Sequence, residues 1–385
     1  MKSRFSWIGV AFLGLGLVAW HQGTPQANKP ATARPAKAKT APKAEKTVPA
    51  KPVVRKAAKK QEPAVVVPAG MKMAFQALPT NYASTSNTGT AAKINLGRML
   101  YYEKRLSKNH DISCNSCHKL DKFGVDNEAT SPGHKKKRGN RNSPTVYNAA
   151  GHIAQFWDGR SKDVEEQAKG PILNPVEMAM PNEAAVVKVL KSIPGYVVAF
   201  KKAFPKEKDP VTYNNLAKAI GAFERNLLTP GRWDKYLKGD KTALTNKEKK
   251  GLMAFVTTGC ITCHTGPLLG GHMYQKLGLV KPWPGNKDMG RFEHTKKAYD
   301  KLMFKVPTLR NVEKTGPYLH DGSIKSLNKV VGMMAEYQLG RKLPPTQVQS
   351  IVAFLKALTG KVDVNYIKEP KLPANGPTTP KPNPN

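Results

Sequence analysis

The sequence predicts a mainly α-helical fold with long loops, divided into two related modules. Two stretches carry apolar residues at steps of three and four, the period of an amphipathic helix, and each is followed by a glycine or proline that ends it. These apolar positions are Leu216, Ile220, Phe223 and Leu227 in the first stretch, and Val348, Ile351, Val352 and Leu355 in the second. No long stretch alternates apolar and polar residues as a half-buried strand does. A short cysteine motif followed by a loop-rich segment occurs twice, which indicates the two modules.

Residues 1–20 are predicted to be an export signal or a membrane anchor. Lys2 and Arg4 precede an uncharged apolar run from Phe5 to Trp20, the pattern of a Sec-type signal or a short anchor. As a helix this run spans roughly 24 Å, somewhat less than a hydrocarbon core of about 30 Å. Because Trp20 stands where a signal peptidase prefers a small residue, we favour an anchor in the inner membrane, with a cleaved signal as the alternative.

Residues 21–70 are predicted to be a disordered linker. They consist largely of Ala, Pro and Lys, and no aromatic residue occurs between Trp20 and Phe75, so the segment cannot bury a core. The whole chain has 63 basic and 27 acidic side chains, a net charge of +36. Such a charge suits nucleic acid, a membrane surface or an acidic partner. No nucleic-acid-binding motif accompanies it, so we predict no nucleic-acid partner.

All four cysteines of the chain fall in two copies of the pattern Cys-x-x-Cys-His. The copies are Cys114, Cys117 and His118, and Cys260, Cys263 and His264. This spacing places two thiols on one helical turn, where both can form thioethers with the vinyl groups of a haem, and the histidine that follows is the iron ligand. The sequence therefore predicts two covalently bound haem c groups, each in a cytochrome c-like domain.

Two other interpretations of the cysteines compete with haem. A reactive dithiol beside a chance histidine is the alternative for each copy. A zinc site is disfavoured because the two pairs lie far apart in the chain and nothing else supplies zinc-ligand spacing. Attachment of haem c takes place outside the cytoplasm, in agreement with the export segment, so the predicted location is the periplasm.

Long stretches between about Asn95 and Leu358 carry a family resemblance. They read NLGRMLYYEKRLSKNHDISCNSCHKL, RNSPTVYNAAGHIAQFWDGRSKDVEEQAKGPILNPVEM, AIGAFERNL, GCITCHTGPLLGG and FKVPTLRNVEKTGPYLHDGSIKSLNKVVGMM. In these stretches the chain resembles the bacterial dihaem cytochrome c peroxidase family. The implied organisation is an N-terminal peroxidatic haem domain at 71–232, a C-terminal electron-transfer haem domain at 233–365 and, outside the resemblance, a disordered tail at 366–385.

The resemblance implies different sixth ligands for the two irons. In the family the N-terminal haem is held in its resting oxidised state by a histidine of the loop after the first motif, and His134 takes that place. Three lysines follow His134, where family members are usually less basic. The C-terminal haem stores an electron, and its expected ligand is Met334, whose thioether favours ferrous iron and raises the potential. Met333 is expected to pack in the core.

The resemblance also implies the residues that act on the substrate. Glu177 matches the acid that moves a proton while the peroxide bond breaks. Gln167 matches a polar residue of the same pocket, and Trp157 matches a tryptophan that lies between the haems.

A calcium ion at the domain interface is implied as well. Asn142, Thr315 and Pro317 match positions that, in the family, supply an amide oxygen and backbone carbonyl oxygens to the ion. This expectation rests on the resemblance alone.

The predicted function is an exported peroxidase that reduces hydrogen peroxide to water. Its expected electron donor is a small periplasmic carrier, either a cytochrome c or a cupredoxin, and a homodimer is left open. One alternative is a methylamine-utilisation-type dihaem enzyme that oxidises a partner protein, which would have tyrosine in place of Met334 and no ligand at His134. The other is a pure electron-transfer dihaem cytochrome, which needs no acid such as Glu177.

Overall fold

The computed structural model describes residues 63–385, and the predicted export segment and most of the predicted linker lie outside them. The prediction of a mainly helical fold is confirmed for the described part. Its α-helices are Ala69–Lys72 (α1), Ala91–Tyr102 (α2), Cys114–Cys117 (α3), Val164–Leu173 (α4), Glu183–Lys191 (α5), Pro194–Ala203 (α6), Tyr213–Glu224 (α7), Arg232–Leu237 (α8), Asn246–Thr258 (α9), Phe292–Thr295 (α10), Leu327–Met333 (α11) and Pro345–Ala357 (α12). Among residues 63–385, no helix combines the length and the apolar character that a membrane span requires.

Shorter elements connect these helices. The 3₁₀ helices are Lys104–Leu106, Leu120–Lys122, His134–Lys136, Ala149–Gly151, Cys260–Thr262 and Ala298–Asp300, and Met334–Gln338 is a π-helix. The strands Tyr274–Lys276 (β1) and Met303–Lys305 (β2) pair antiparallel, with Gln275 opposite Phe304. This ribbon is the sheet of the described part, as expected for a sequence without long alternating stretches.

The two periodic stretches of the sequence form α7 and α12. In α7 the side chains of Leu216, Ile220 and Phe223 are buried, because the apolar face of the helix packs on α2 and α4. Leu227 is also buried but lies beyond the end of the helix, where the side chain of Asn226 donates to the carbonyl oxygen of Ala222 at 3.0 Å. The end of α7 therefore comes earlier than the proline and glycine at positions 230 and 231 predict.

The same helix crossing occurs in each module. Helix α2 precedes the first cysteine motif and crosses α7, and helix α9 precedes the second motif and crosses α12. Gly97 of α2 lies against the carbonyl oxygen of Ala219, and Gly251 of α9 lies against that of Ser350. A Cβ atom at either glycine would overlap that oxygen, so glycine permits the close approach of the backbones.

Each end of the described chain packs against the module that lies farther from it in sequence. Val67 and Phe75 come before α2, the first long helix of the N-terminal module, but pack in the C-terminal core, where the ring of Phe75 lies 5.4 Å from that of Trp233. Tyr366 follows the C-terminal module but stacks on Phe223 of the N-terminal module, with ring centroids 5.1 Å apart. The predicted domain bounds at 71, 232 and 365 stay predictions.

The structure differs from the disordered tail predicted at 366–385. Arg105 donates to the carbonyl oxygen of Pro373 at 2.9 Å, and the backbone nitrogen of Asn383 donates to the carbonyl oxygen of Lys108 at 2.9 Å. Hydrogen bonds to the N-terminal module thus hold the tail in place. A proline-rich segment held mainly by its backbone carries no apolar period, so its sequence resembles that of a disordered chain.

Replacing Asp234 with alanine is expected to destabilise the protein by about 3–5 kcal/mol, the usual cost of breaking a buried ion pair. The Asp234 carboxylate accepts hydrogen bonds from the Arg310 guanidinium at 2.7 and 2.9 Å and from the backbone nitrogens of Leu78 and Gly231, both at 2.8 Å. Arg310 is 1% exposed, so the substitution leaves a buried charge without a partner. Urea-induced unfolding measures the loss, and Asp121→Ala, at an exposed carboxylate, is the control.

The ion pair also gives this stability a pH dependence. Burial alone would raise the pKa of Asp234, but the hydrogen bonds from Arg310 and the two backbone nitrogens bring it below its usual value of 3.8. A carboxyl whose pKa is lowered by folding contributes stability above its unfolded pKa and loses it as the pH falls through the folded value. The difference in unfolding free energy between the parent and Asp234→Ala should therefore shrink below about pH 4. A difference that is constant down to pH 2 would contradict the assigned pair.

Candidate functional site

The first cysteine motif lines a cavity in the N-terminal module. Cys114 and Cys117 lie in α3, and His118 follows the helix with its backbone nitrogen bonded to the carbonyl oxygen of Cys114 at 3.0 Å. Ser113 begins the helix, and its backbone nitrogen donates to the hydroxyl of Ser116 at 3.0 Å. The helical turn expected from the spacing is present, and all three motif residues face one cavity.

The second motif lines a second cavity, whose wall includes residues of both modules. Gly259 ends α9 with φ at 100°, a left-handed conformation that favours glycine, and Cys260 begins the next turn. Cys260, Cys263 and His264 all line the cavity. Nδ1 of His264 lies 2.9 Å from the carbonyl oxygen of Leu269. Such a bond places the hydrogen on Nδ1 and leaves Nε2 free to bind a metal.

The protonation state of the motif side chains separates a haem site from a reactive dithiol. Burial raises the pKa of Cys260 to about 12 and that of Cys117 to about 11, and it raises the pKa of Cys114 further. A reactive cysteine needs a lowered pKa, so these thiols are poor nucleophiles at neutral pH. Burial lowers the pKa of His264 to about 4 and also lowers that of His118. Both imidazoles are therefore neutral, the form that binds iron.

The arrangement also argues against zinc. The two cysteine pairs line different cavities, and residues 63–385 contain no cluster of three or more His, Cys, Asp or Glu side chains placed to hold a metal ion. Structural zinc requires four such ligands in one place. Two thiols and one imidazole on an apolar cavity wall instead fit the vinyl groups and the iron of a haem.

Met334 lines the second cavity together with His264. It is the first residue of the π-helix that continues α11, and such π-helical turns are frequent at functional sites. Met333 is not among the described residues that line the cavity, and it packs partly buried among apolar side chains. The structure thus brings one soft thioether to the cavity of the second imidazole, and the ligand role of Met334 stays a prediction.

Glu177 and Gln167 line the first cavity together with His118. Oε1 of Glu177 accepts a hydrogen bond from Nδ2 of Asn174 at 2.9 Å. Burial raises the pKa of the Glu177 carboxyl, and the nearby charge of Arg160 opposes part of this rise. A carboxyl with a raised pKa, oriented by a hydrogen bond, is suited to take up and release a proton.

His134 does not line the first cavity in this structure. Its side chain is 6% exposed, and its backbone nitrogen donates to the carbonyl oxygen of Glu177 at 2.8 Å. Gly133 does line the cavity. Lys135 and Lys136 have φ angles of 55° and 59°, a left-handed conformation that is unfavourable for lysine. The structure thus places the His134 loop beside Glu177 without bringing the imidazole into the cavity, and the ligand role of His134 stays a prediction.

Trp157 lies at the junction of the two cavities and lines both of them. Its Nε1 donates to the carbonyl oxygen of Asn142 at 2.9 Å. Asn142 also lines both cavities, while Thr315 and Pro317 line the second. The three predicted calcium ligands therefore border one cavity, beside the tryptophan expected between the haems.

Several residues of the first cavity were not predicted from the sequence. The guanidinium carbon of Arg160 lies 3.4 Å from the centroid of the Phe156 ring, and both residues line the cavity. Both residues lie close to Trp157 in the sequence, and this proximity is the sequence feature from which their place on the cavity wall could have been predicted. Asn174, which orients Glu177, lies three residues before it in a loop and gives no distinct sequence signal.

The chain is similar to known proteins over most of its length. A family model described as "Di-haem cytochrome c peroxidase" matches residues 91–242. The cytochrome c551 peroxidase of Pseudomonas aeruginosa is 49% identical over 292 residues, which are 74% of this chain and 84% of that protein. The cytochrome c551 peroxidase of Nitrosomonas europaea is 46% identical over 323 residues, 83% of this chain and 95% of that protein.

A solved structure shares the fold. A MauG-like protein associated with microbial copper homeostasis superimposes with a TM-score of 0.67 at 26% identity, covering 76% of this chain and 97% of that one. The identity to this MauG-like protein is thus well below the identity to the two peroxidases.

Proposed function

The chain belongs to the di-haem cytochrome c peroxidase family, and on that premise we propose how its residues carry out the reaction. The protein is a peroxidase that contains two haems and receives electrons from a cytochrome. In the overall reaction one hydrogen peroxide takes up two electrons and two protons and gives two waters. The observation that carries the proposal is that Glu177, with its raised pKa, lines the cavity of His118, whereas Met334 lines the cavity of His264.

The two cavities have different tasks in the proposal. When bound, the haem at His118 supplies an iron that binds peroxide, and the haem at His264 and Met334 supplies a stored electron. Glu177 takes a proton from one peroxide oxygen and delivers it to the other, the departing one. Asn174 holds the carboxyl in place through its hydrogen bond, and Gln167 supplies a further polar group to the same cavity wall.

His134 is proposed to control access to the first cavity. In the resting oxidised state its imidazole would be the sixth ligand there, and reduction at the second cavity would release the loop. The backbone nitrogen of His134 donates to the carbonyl oxygen of Glu177, which lines the first cavity, and this contact supports a role of the loop at that cavity. The loop would thus have two states, with His134 bound or released, and the redox state of the second haem would set their populations.

Trp157 is proposed to shorten the electron path, since it lines both cavities. Asn142, Thr315 and Pro317 are proposed to hold a calcium ion through an amide oxygen and carbonyl oxygens, the ligands that calcium prefers. The position of all three residues on one cavity wall supports this assignment.

The setting of the enzyme is also proposed. We place it in the periplasm, tethered to the inner membrane by residues 1–20, with a small cytochrome c or cupredoxin as its electron donor and a homodimer as one assembly. Hydrogen peroxide is the proposed substrate. The apolar run near the N-terminus and the cysteine motifs support export.

The peroxidase proposal is favoured over its two alternatives by specific residues. A methylamine-utilisation-type enzyme would have tyrosine at the position of Met334, whereas this chain places a methionine on the second cavity. A pure electron-transfer cytochrome needs no protonatable group beside the first haem, whereas Glu177 lines that cavity.

Each cysteine motif is expected to hold one haem through thioether bonds. Denatured protein should carry the mass of two haems after acid-acetone extraction, because thioethers survive that treatment whereas iron–ligand bonds do not. The double variant Cys114→Ala/Cys117→Ala should lose one haem mass, and Cys260→Ala/Cys263→Ala should lose the other. Each variant is the control for the other. Haem that is extractable from the parent protein would overturn covalent attachment.

A further inference from the structure

Lys305 is a buried lysine that the proposed reaction does not use. It is the last residue of β2 and is 6% exposed. Its Nζ lies 2.7 Å from Nδ1 of His152, which is half-buried. An ammonium group has only donors, so Nδ1 of His152 accepts this hydrogen bond. The second nitrogen of His152, Nε2, is buried and has no hydrogen-bond partner among residues 63–385.

No acidic side chain balances this pair. Within the described part of the chain Lys305 forms no salt bridge. The acid whose charge acts on it, Asp158, is paired with Arg141 at 2.6 Å and Arg160 at 3.1 Å. A buried ammonium without a counter-charge costs several kcal/mol. The fold thus presents a buried amine without a counter-charge among the described residues.

The position of the pair indicates where the anion comes from. Lys305 and His152 both line the second cavity, the one that contains His264 and Met334. The backbone nitrogen of Lys305 donates to the carbonyl oxygen of Trp157 at 2.8 Å. This bond fixes the backbone of Lys305 beside the tryptophan that lines both cavities, while burial and the bond to His152 place its side chain.

We propose that Lys305, held in place by His152, binds a propionate carboxylate of the haem in the second cavity and thereby raises the reduction potential of that haem. The inference rests on the proposed function, in which this haem is the electron store. A cation that pairs with the propionate reduces the negative charge near the iron, and less negative charge nearby favours the ferrous form. Lys305 is thus a positioning residue that acts with Met334 to keep the stored electron available.

The protonation of Lys305 agrees with this role. Burial lowers its pKa to about 7, and the charge of Asp158 opposes only part of that shift. A carboxylate placed beside the amine would favour the charged form and raise this pKa again. A propionate carboxylate beside Lys305 would therefore keep the amine charged at neutral pH.

The test is a redox titration of the haem-loaded protein, followed by the separate spectra of the two haems. In Lys305→Met the ratio of ferrous to ferric iron in the second haem, measured at the midpoint potential of the parent, should fall about tenfold or more. This is the scale of the effect of removing one unit charge beside a haem propionate. Lys305→Arg keeps the charge and should stay close to the parent. Lys325→Met removes one exposed positive charge of the same module and should change nothing.

A second measurement reports the contact itself. The propionate bending band in the resonance Raman spectrum of the second haem should shift in Lys305→Met, whereas the methionine–iron charge-transfer band should remain, since Met334 is untouched. If Lys305→Met loads only one haem, the comparison is made on Lys305→Arg and His152→Gln. The first variant keeps the positive charge and the second keeps the lysine, but both displace the nitrogen that donates to the propionate. Both should therefore still shift the propionate band. If Lys305→Met, loaded with both haems, has the ferrous-to-ferric ratio and the propionate band of the parent, the proposal is wrong. The same holds if His152→Gln and Lys305→Arg, used in its place, both keep the propionate band of the parent.

Haem content is determined by mass before either measurement. A parent protein without two covalent haems would contradict the proposed function. If both haems are present but the potential and the propionate band of the second haem do not change when Lys305 is replaced, only this inference is contradicted.

Discussion

Replacing Glu177 with glutamine is expected to lower peroxide turnover by a factor of about 10² or more, the usual scale for removing a positioned acid–base group. Glutamine keeps the size of the side chain and can still accept the hydrogen bond from Asn174, but it cannot carry the proton that the departing peroxide oxygen needs. The spectra of both haems should stay those of the parent. Steady-state peroxide reduction with a reduced cytochrome c as donor measures the effect.

The matched control for this variant is Glu183→Gln. Glu183 is an exposed carboxylate in the first turn of α5 and lines neither cavity, so its replacement should leave turnover unchanged. Near-parental turnover in Glu177→Gln, with both haems loaded, would instead favour the pure electron-transfer cytochrome, because a carrier has no peroxide bond to cleave.

The replacement of Met334 with histidine is expected to lower the potential of the second haem by about 0.1 V or more, because a nitrogen donor stabilises ferric iron better than a thioether does. A mild reductant that charges the parent should then fail to charge the variant, so the His134 loop should stay in its resting position. The measurement is a redox titration followed by stopped-flow mixing with peroxide. Met333→His, one residue earlier and outside the cavity lining, is the control.

The complementary variant, His134→Gly, removes the proposed sixth ligand of the first haem. Peroxide should then react with the oxidised protein without prior reduction, and the change in the Soret band should appear within the first stopped-flow trace. His294→Gly, at an exposed histidine that lines neither cavity, should behave as the parent does. If His134→Gly stays six-coordinate and inert until it is reduced, His134 is not the gating ligand.

The parts of the fold that sequence predicts well are those in which burial imposes a period. Leu216, Ile220 and Phe223 repeat at helical steps because one face of α7 must pack against α2, and α12 follows the same rule. The exchanged chain ends follow no such rule. Phe75 and Tyr366 are single aromatic residues in irregular segments, and a single residue defines no period that would predict its partner.

The candidate site divides in the same way. The cysteine motifs are local, so five consecutive residues are enough to indicate the chemistry. Lys305 and His152 are 153 residues apart in the chain and come within 2.7 Å only in the folded protein. The position of the His134 loop also depends on tertiary contacts, since its backbone is bonded to Glu177. The local motif thus indicates the cofactor from sequence, whereas contacts between distant residues appear only in the structure.

The exchange of chain ends has a consequence for biosynthesis. A polypeptide is made N-terminus first, and in the proposed export it also crosses the membrane in that order, so the first module lacks Tyr366 and Ile367 until nearly the whole chain has crossed. Phe75 in turn has no ring to pack against until Trp233 has emerged. We therefore expect a fragment that stops near residue 232 to remain open, with Cys114 and Cys117 accessible to the haem-attachment machinery for longer than in a module that folds alone. Maturation would then close both halves together, in one late step.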